Sequence, residues 1–203
     1  LRFCKKLNFS GFAEFKFALK QQNKEIANLK KPISSMDSIT SLYDDIESTS
    51  LLIKERYLKE IIDLIDSNKR IHLYGEGISR IPVDYLEKLL FSIGRQNVYK
   101  YKSSRLAAHI ASNANEDDIL IAISTSGNYP TTVKIVKLFN LNHATIIAIS
   151  PYTKNAIADL ANINFRFFVN HRENIDTEYT SRLAIFYIID VIFKTYLVRK
   201  EKE

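Results

Sequence analysis

The stretch DILIAISTSGNYPTT, residues 118–132, joins an apolar run to a cluster of small hydroxyl side chains. Residues 118–124 are almost continuously apolar, which is typical of a strand buried on both faces of a parallel sheet. Pro130 then fits the first turn of a helix. The hydroxyl side chains around this junction are those of Ser124, Thr125, Ser126, Thr131 and Thr132. The stretch predicts either an ordinary polar loop or a cradle for an anion at a strand end.

Two features of this stretch favour the anion cradle. Gly127 permits a left-handed backbone, which lets neighbouring N–H groups approach an anion. Asn128 and Tyr129 precede a predicted helix N-terminus, whose unpaired N–H groups and positive dipole end attract negative charge. Capping and turn formation explain one or two of the surrounding hydroxyls but not all of them, so the cradle is the better interpretation.

The segments on either side of this stretch alternate between strand and helix. Such alternation predicts a parallel sheet with right-handed crossovers and helices on both faces. The predicted fold class is therefore α/β, a five-stranded parallel sheet sandwiched by helices and preceded by a helical N-terminal segment. The predicted strands are 71–75, 97–101, 118–124, 145–150 and 164–169, the predicted helices between and after them are 79–93, 104–113, 130–141, 155–161 and 177–198, and earlier helices occupy 1–31 and 36–66.

Composition limits the class of protein. A chain of 203 residues with 46% hydrophobic content suits one main domain with an appendage. The single cysteine, Cys4, excludes an internal disulfide and suits a reducing compartment. The histidines are scattered without ligand spacing, and no apolar run is long enough to span a bilayer. We therefore expect a cytoplasmic protein with no metal site and no membrane contact.

The net charge of +6 comes entirely from the N-terminal segment. Residues 1–31 contain eight Lys or Arg and two acidic residues, whereas residues 32–203 carry equal numbers of each. Such asymmetry predicts a module that meets a polyanion, with nucleic acid the first candidate. The alternative is a lysine-rich helix that is merely solvated.

A second polar loop, GEGIS at residues 75–79, follows the first predicted strand. In a parallel sheet the ligand crevice lies at the carboxyl ends of the strands, where both loops are predicted to be. Arg80 stands where a dinucleotide-binding G-x-G-x-x-G motif has its third glycine, and no G-K-[ST] follows. We therefore expect no nicotinamide, flavin or other cofactor. Gly77 and Ser79 remain candidate ligand contacts, with a helix N-cap as the alternative role of Ser79.

The two loops together resemble the sugar isomerase (SIS) domain, a five-stranded parallel sandwich that binds phosphosugars. Gly-x-Gly-x-Ser after the first strand and STSGN after a later one carry this resemblance, which spans roughly residues 50–199. The family often has Thr where this chain has Tyr129, for which Thr131 is the nearest substitute. The resemblance implies that a phosphosugar is bound by hydroxyls of Ser79, Ser124 and Ser126, and the complete predicted ligand site is Gly77, Ser79, Ser124, Thr125, Ser126, Asn128, Thr131 and Glu178.

The N-terminal stretch RFCKKLNFSGFAEFKFAL, residues 2–19, resembles the end of the helix-turn-helix domain of RpiR-type transcription regulators, although Asn8 stands where Gly is usual. The resemblance implies a regulator that binds DNA through a complete N-terminal domain, with further helices upstream of Leu1. Residues 1–31 are then the remnant of that domain, and residues 32–203 are the SIS domain with its leading helices at 36–66. Arg2, Lys5 and Lys6 are the predicted DNA-phosphate contacts.

An aldose–ketose isomerase is the alternative function, because SIS folds also serve such enzymes. Isomerisation needs a positioned base, for which Glu178 is the candidate. We favour instead a first-turn acid or a contact to a ligand hydroxyl at Glu178. Since a regulator needs only to bind and to shift a population, we expect no catalytic residues and no enzyme activity. A purely structural interaction protein would leave the hydroxyl cluster unexplained.

The last predicted helix, residues 180–197, is apolar nearly all round and must be buried on more than one side. Core packing within one chain is one interpretation, and a subunit interface in a homo-oligomer, a dimer or tetramer, is the other. Asp190 within this helix is predicted either to pair with Lys194 or to be a buried polar group at the interface.

Overall fold

The structure is a computed structural model, and it describes residues 35–169 and 180–202 together with the isolated positions 15 and 19. Two helices, α1 (Ser35–Leu52) and α2 (Glu55–Asp66), lead into the sheet-forming part. A single 3-10 turn, Gly77–Ser79, separates the first strand from the next helix. The remaining elements are β1 (Arg70–Tyr74), α3 (Arg80–Ser92), β2 (Val98–Lys100), α4 (Ser104–Ala111), β3 (Asp118–Ile123), α5 (Pro130–Leu141), β4 (Thr145–Pro151), α6 (Ala156–Leu160), β5 (Ile163–Phe167) and α7 (Leu183–Lys200).

The five strands form one parallel sheet in the order β2-β1-β3-β4-β5. The predicted fold class is confirmed, and the strands lie within two residues of their predicted ends. The chain moves from β1 outward to β2, then returns to place β3 on the other side of β1. Such a reversal creates a crevice at the carboxyl ends of β1 and β3, where open α/β sheets bind ligands.

Two apolar layers cover the two faces of the sheet. On one face α2, α3 and α7 pack over the sheet, and α1 lies against α7 and β5. On the other face α4, α5 and α6 supply a smaller apolar layer. Every residue of β3 is buried, with Ile121 and Leu120 among those facing the first and second layers respectively. This two-sided burial explains why the sequence of β3 is apolar without alternation.

Packing within the chain buries one side of the apolar helix α7, whereas Leu183, Leu197 and Val198 remain exposed. Its inner residues are buried in the larger apolar layer, where α7 contacts α1, α2, α3 and β5. Asp190 is exposed, and its Oδ1 accepts a 2.6 Å hydrogen bond from the hydroxyl of Tyr85 on α3. The predicted pairing of Asp190 with Lys194 is not formed among the described residues, and the partner of Asp190 is instead Tyr85 of the neighbouring helix. A subunit interface stays a prediction.

A buried polar network joins the amino ends of β1 and β3, at the sheet edge opposite the polar loops. The Asp118 carboxylate accepts hydrogen bonds from Arg70 Nε at 2.6 Å and Nη2 at 2.9 Å, and from Asn115 N–H at 2.8 Å. His72 Nε2 lies 2.8 Å from Asp118, and His72 Nδ1 lies 2.7 Å from the hydroxyl of Tyr101. The network fixes β1 against β3, the two strands that border the crevice.

Candidate functional site

The two polar loops leave adjacent strands at the same edge of the sheet. Tyr74, the last residue of β1, is in register with Ala122 of β3. Neighbouring strands lie about 4.8 Å apart, so the loop after β1 begins beside the loop after β3. The structure therefore brings the 75–79 and 124–131 stretches together at the crevice between β1 and β3.

The hydroxyl oxygens of Ser124 and Ser126 organise the loop after β3. Ser124 Oγ accepts a 3.0 Å hydrogen bond from the N–H of Gly127, and Ser126 Oγ accepts a 3.2 Å hydrogen bond from the N–H of Asn128. Each oxygen acts here as an acceptor, so its own hydrogen is left to donate elsewhere. Ser124 is buried and Ser126 is exposed. The loop thus holds two hydroxyl donors in fixed positions.

Several backbone N–H groups beside these hydroxyls have no acceptor among the described residues. Within the described ranges, no hydrogen bond uses the N–H of Thr125, Ser126 or Tyr129. Helix α5 makes its first bond from Val133 N–H to Tyr129 O, at 3.0 Å, which leaves the N–H of Thr131 unpaired in the first turn. Free N–H groups at a helix N-terminus, with hydroxyl donors beside them, form a set of donors suited to an anion.

Gly127 is locked against the turn that follows β4. Its φ is +65°, and a Cβ added there would lie 2.6 Å from the Cβ of Asn155 and nearer still to its side-chain amide. Ile157 N–H donates to Gly127 O at 3.1 Å, and Ala156 N–H donates to Asn128 Oδ1 at 2.9 Å. Only a residue without a side chain fits, so the loop conformation depends on glycine at this position.

Asn155 is a residue of this site that sequence reasoning missed. It is buried, caps α6 by accepting from Ala158 N–H at 3.0 Å, and donates to the carbonyls of Pro151 at 3.1 Å and Thr153 at 2.8 Å. An Asn directly before a short helical pattern is a recognised N-cap signal. The contact between Asn155 and Gly127 has no local sequence signal, because the two residues are far apart along the chain. The neighbouring hydrogen bond from Ala156 N–H to Asn128 Oδ1 likewise joins residues 28 positions apart.

The loop after β1 is compact and buries Ser79. Gly77 has a φ of +54°, and a Cβ added to Gly75 would lie 2.8 Å from the carbonyl oxygen of Ser79. Ser79 is 4% exposed, has helical backbone angles, and makes no capping hydrogen bond to α3. The alternative prediction of Ser79 as a side-chain N-cap is therefore wrong, because its backbone already belongs to the helical turn.

A cluster of Tyr74, Glu76 and Arg80 also lies at this loop and was not predicted. The Tyr74 hydroxyl donates to Glu76 Oε1, and Arg80 Nη2 donates to Glu76 Oε2 at 2.9 Å. Burial, and next the hydrogen bond to Glu76, raise the pKa of the Tyr74 phenol well above its usual value, and the nearby phenol of Tyr129 adds to this rise. Tyr74 therefore remains a hydrogen-bond donor at neutral pH.

The remaining hydroxyls of the stretch differ in their surroundings. Thr125 and Thr131 are half-buried. Thr132 is 1% exposed, and its hydroxyl has no partner among the residues that the structure describes. A groove beside α5 adds the exposed, positively charged Lys134 and Lys137 near the loop. It is lined by Asn128, Pro130, Val133, Lys134, Lys137, Leu138 and Ala156.

Other predicted features have the following outcomes. Glu178, Arg2, Lys5 and Lys6 lie outside the described residues. In residues 35–169 and 180–202 no group of three His, Cys, Asp or Glu side chains is placed to hold a metal ion. Over the same part of the chain, no helix combines the length and apolar character needed to cross a membrane.

The family model described as the SIS domain matches residues 63–194. An HTH-type transcriptional regulator of Clostridium perfringens is 27% identical over 206 residues, which cover 95% of this chain and 72% of the relative.

Two solved structures share the fold. Vibrio vulnificus NanR, complexed with ManNAc-6P, has a TM-score of 0.74 and 20% identity, covering 99% of this chain and 74% of NanR. A structure described as a putative sugar-phosphate isomerase of Listeria monocytogenes has a TM-score of 0.67 and 17% identity. The match covers 84% of this chain and 94% of the Listeria chain. At these identities the likenesses show the fold alone.

Proposed function

The chain belongs to the SIS domain family, and from this premise we propose that it is the effector-binding part of a transcription regulator that senses a phosphorylated sugar. The phosphate ester would bind at the carboxyl ends of β1 and β3. The proposed contacts are Gly77, Ser79, Ser124, Thr125, Ser126, Asn128, Thr131 and Glu178.

One observation carries the phosphate assignment. The hydroxyl oxygens of Ser124 and Ser126 each accept one hydrogen bond from an N–H group of their own loop, at 3.0 and 3.2 Å. No described acceptor takes their hydroxyl hydrogens, which are therefore available to a ligand. The N–H groups of Thr125 and Ser126 lie in the same loop, and the N-terminus of α5 follows directly. A phosphate monoester is an acceptor with three terminal oxygens, and hydrogen bonds to charged groups are the stronger kind. Lys134, one turn into α5, is exposed and favours an anion near the N-terminus of this helix.

The regulatory role is supported by the relatives and by the charge distribution. The Clostridium relative is named as a transcriptional regulator and aligns with 95% of this chain. The excess of Lys and Arg lies in residues 1–31, which we propose to be the end of a helix-turn-helix domain, with residues 32–203 forming the SIS part. The proposed partners are DNA, through Arg2, Lys5 and Lys6 of the N-terminal domain, and a second copy of the chain. A DNA-binding regulator acts in the cytoplasm.

We propose that the SIS domain binds its ligand without converting it. The isomerase alternative is supported by the shared fold of the Listeria structure, which is described as a putative sugar-phosphate isomerase. The two functions differ in their need for Glu178. Aldose–ketose turnover in a coupled assay, lost in Glu178→Gln, would favour the enzyme.

Ser126→Ala is expected to weaken phosphosugar binding by tenfold to a hundredfold, because it removes a hydrogen bond to a charged group worth about 1.5–3 kcal/mol. Binding is measured as a thermal shift of the whole chain against N-acetylmannosamine 6-phosphate, glucose 6-phosphate and other sugar phosphates. At about 100 times its Kd, a ligand stabilises the folded wild type by about 2.7 kcal/mol.

Ser92→Ala is the matched control, since its hydroxyl donates to Leu89 O on the exposed side of α3. This variant should keep the full thermal shift. The proposal is wrong if neither sugar phosphates nor millimolar inorganic phosphate stabilise the wild type, or if Ser126→Ala binds them as tightly as the wild type does.

A further inference from the structure

We propose that Glu76 determines which chemical class of phosphosugar this site accepts. Its carboxylate takes hydrogen bonds from the hydroxyls of a neutral sugar monophosphate and excludes sugars that carry a second anionic group, such as sugar acids or bisphosphates. The inference rests on the proposed function, because it concerns the part of the same ligand that lies beyond the phosphate.

The Glu76 carboxylate is held in one orientation. Oε1 accepts from the Tyr74 hydroxyl, and Oε2 accepts from Arg80 Nη2 at 2.9 Å. Tyr74 is 1% exposed and packs in the smaller apolar layer, so the hydroxyl that donates to Oε1 is held in place. Each carboxylate oxygen can accept a further hydrogen bond, and sugar hydroxyls supply such donors.

The backbone around Glu76 is equally constrained. Gly75 is packed against the carbonyl of Ser79, and Gly77 occupies a left-handed conformation that L-residues rarely adopt. Glu76 itself is extended, with φ −102° and ψ 155°. The carboxylate is thus presented by a loop with little freedom, which is what selection between similar ligands requires.

Glu76 lies beside the proposed phosphate loop. Tyr74 is in register with Ala122, so Glu76 and Ser124 are both two residues beyond a registered pair on neighbouring strands. Neighbouring strands lie about 4.8 Å apart, so the loop that carries Glu76 begins beside the loop that carries Ser124. In the proposed complex, the phosphate lies on the second loop and the sugar lies beside Glu76 of the first loop.

Charge decides the selectivity. The side chain of Glu76 is 20% exposed, whereas that of Arg80 is 46% exposed. Water competes with Glu76 for the exposed guanidinium, so the ion pair offsets the negative charge of Glu76 only in part. A carboxylate or second phosphate placed next to Glu76 meets like charge and loses its hydration, whereas a hydroxyl gains an acceptor.

The test compares neutral sugar monophosphates with a phosphosugar that also carries a carboxylate. The whole chain is titrated calorimetrically with glucose 6-phosphate and N-acetylmannosamine 6-phosphate as neutral probes, and with 6-phosphogluconate, which has a carboxylate at C1. Wild type is expected to prefer at least one neutral probe over 6-phosphogluconate by tenfold or more. Glu76→Gln should raise the affinity for 6-phosphogluconate at least tenfold, or about 1.4 kcal/mol, and should not strengthen binding of the neutral probes.

Glu87→Gln is the matched control, because it removes the same charge from α3 at a residue that pairs with Lys100 at 2.6 Å. It should leave the preference unchanged. The inference is overturned if Glu76→Gln keeps the wild-type ratio, if Glu87→Gln moves the ratio as far, or if wild type binds phosphate but does not prefer a neutral probe. If the proposed function itself is wrong, the wild type will bind none of these probes and no inorganic phosphate. In that case both proposals are wrong.

Discussion

Gly127→Ala should abolish measurable phosphosugar binding and lower the free energy of unfolding by about 3 kcal/mol. About 1–2 kcal/mol of this comes from forcing an L-residue into the left-handed region, where Gly127 has a φ of +65°. The rest comes from the added Cβ, which would overlap Asn155 and displace a buried side chain whose hydrogen bonds hold the turn after β4. Urea denaturation and phosphosugar titration measure the two effects.

Gly94→Ala is the control that distinguishes the cost of backbone strain from the cost of steric overlap between a Cβ at residue 127 and Asn155. Gly94 also has a left-handed backbone, with a φ of +75°, but a Cβ added there meets nothing within 4 Å. This control should lose only the cost of the left-handed backbone, about 1–2 kcal/mol, and should bind phosphosugars as wild type does. Equal losses of stability in the two variants would show that the contact with Asn155 has no energetic weight.

Asp118→Asn is expected to lower the free energy of unfolding by about 2–3 kcal/mol, the range for hydrogen bonds to a charged group. The side chains of Asp118 and His72 are 2% and 5% exposed, so water cannot replace their interaction, whereas the side chain of Arg70 is 43% exposed and can be hydrated. Asn has one oxygen where the carboxylate has two, and its NH₂ group would face the donors Arg70 and Asn115. Denaturant titration at pH 7 measures the loss.

Asp63→Asn is the control for this substitution. Asp63 pairs with Arg199, but both side chains are largely exposed, at 63% and 40%. An exposed pair contributes about 0–1 kcal/mol, so this variant should be nearly as stable as wild type. A loss below 1 kcal/mol in Asp118→Asn would show that the network contributes little to stability. The folded fraction of that variant should still bind phosphosugar, because the network lies at the opposite edge of the sheet from the proposed ligand site.

The same network predicts that stability falls with decreasing pH. Burial alone would raise the pKa of Asp118, but hydrogen bonds from Arg70 and His72 outweigh burial and lower it to about 2 from 3.8. Because the folded pKa is below the unfolded one, this stabilisation, about 2 kcal/mol, is complete above pH 4 and is lost as pH falls towards 2.

His72 acts in the same direction at higher pH. Burial lowers its pKa below 6.5 against the opposing effect of Asp118. Below pH 6.5 the unfolded chain therefore protonates this histidine more readily than the folded chain does. The free energy of unfolding decreases as the pH falls below that value. Unfolding free energies measured from pH 7 to pH 3 should decrease for wild type, and the decrease below pH 4 should be smaller in Asp118→Asn.

Local sequence patterns predicted most of the architecture. The order of strands and helices followed from hydrophobic periodicity, because burial on a helix stripe or on both strand faces leaves a pattern within a single segment. The hydroxyl cluster at Ser124–Ser126 and the helix start at Pro130 are equally local, and the structure puts both at a strand end. The role of Ser79 was ambiguous in sequence, because an N-cap and a ligand contact use the same residue type at the same place.

Contacts between distant segments had no such signature. Asp118 with Arg70 and His72, Gly127 with Asn155, and Asp190 with Tyr85 each join residues that are adjacent only after the sheet has assembled. The amino-acid sequence by itself determined the α/β alternation and a donor-rich loop after β3, since both depend on neighbours along the chain. Only the tertiary structure decided that β1 lies next to β3, and hence that Glu76 borders that loop, because strand order depends on how crossovers pack on a finished sheet.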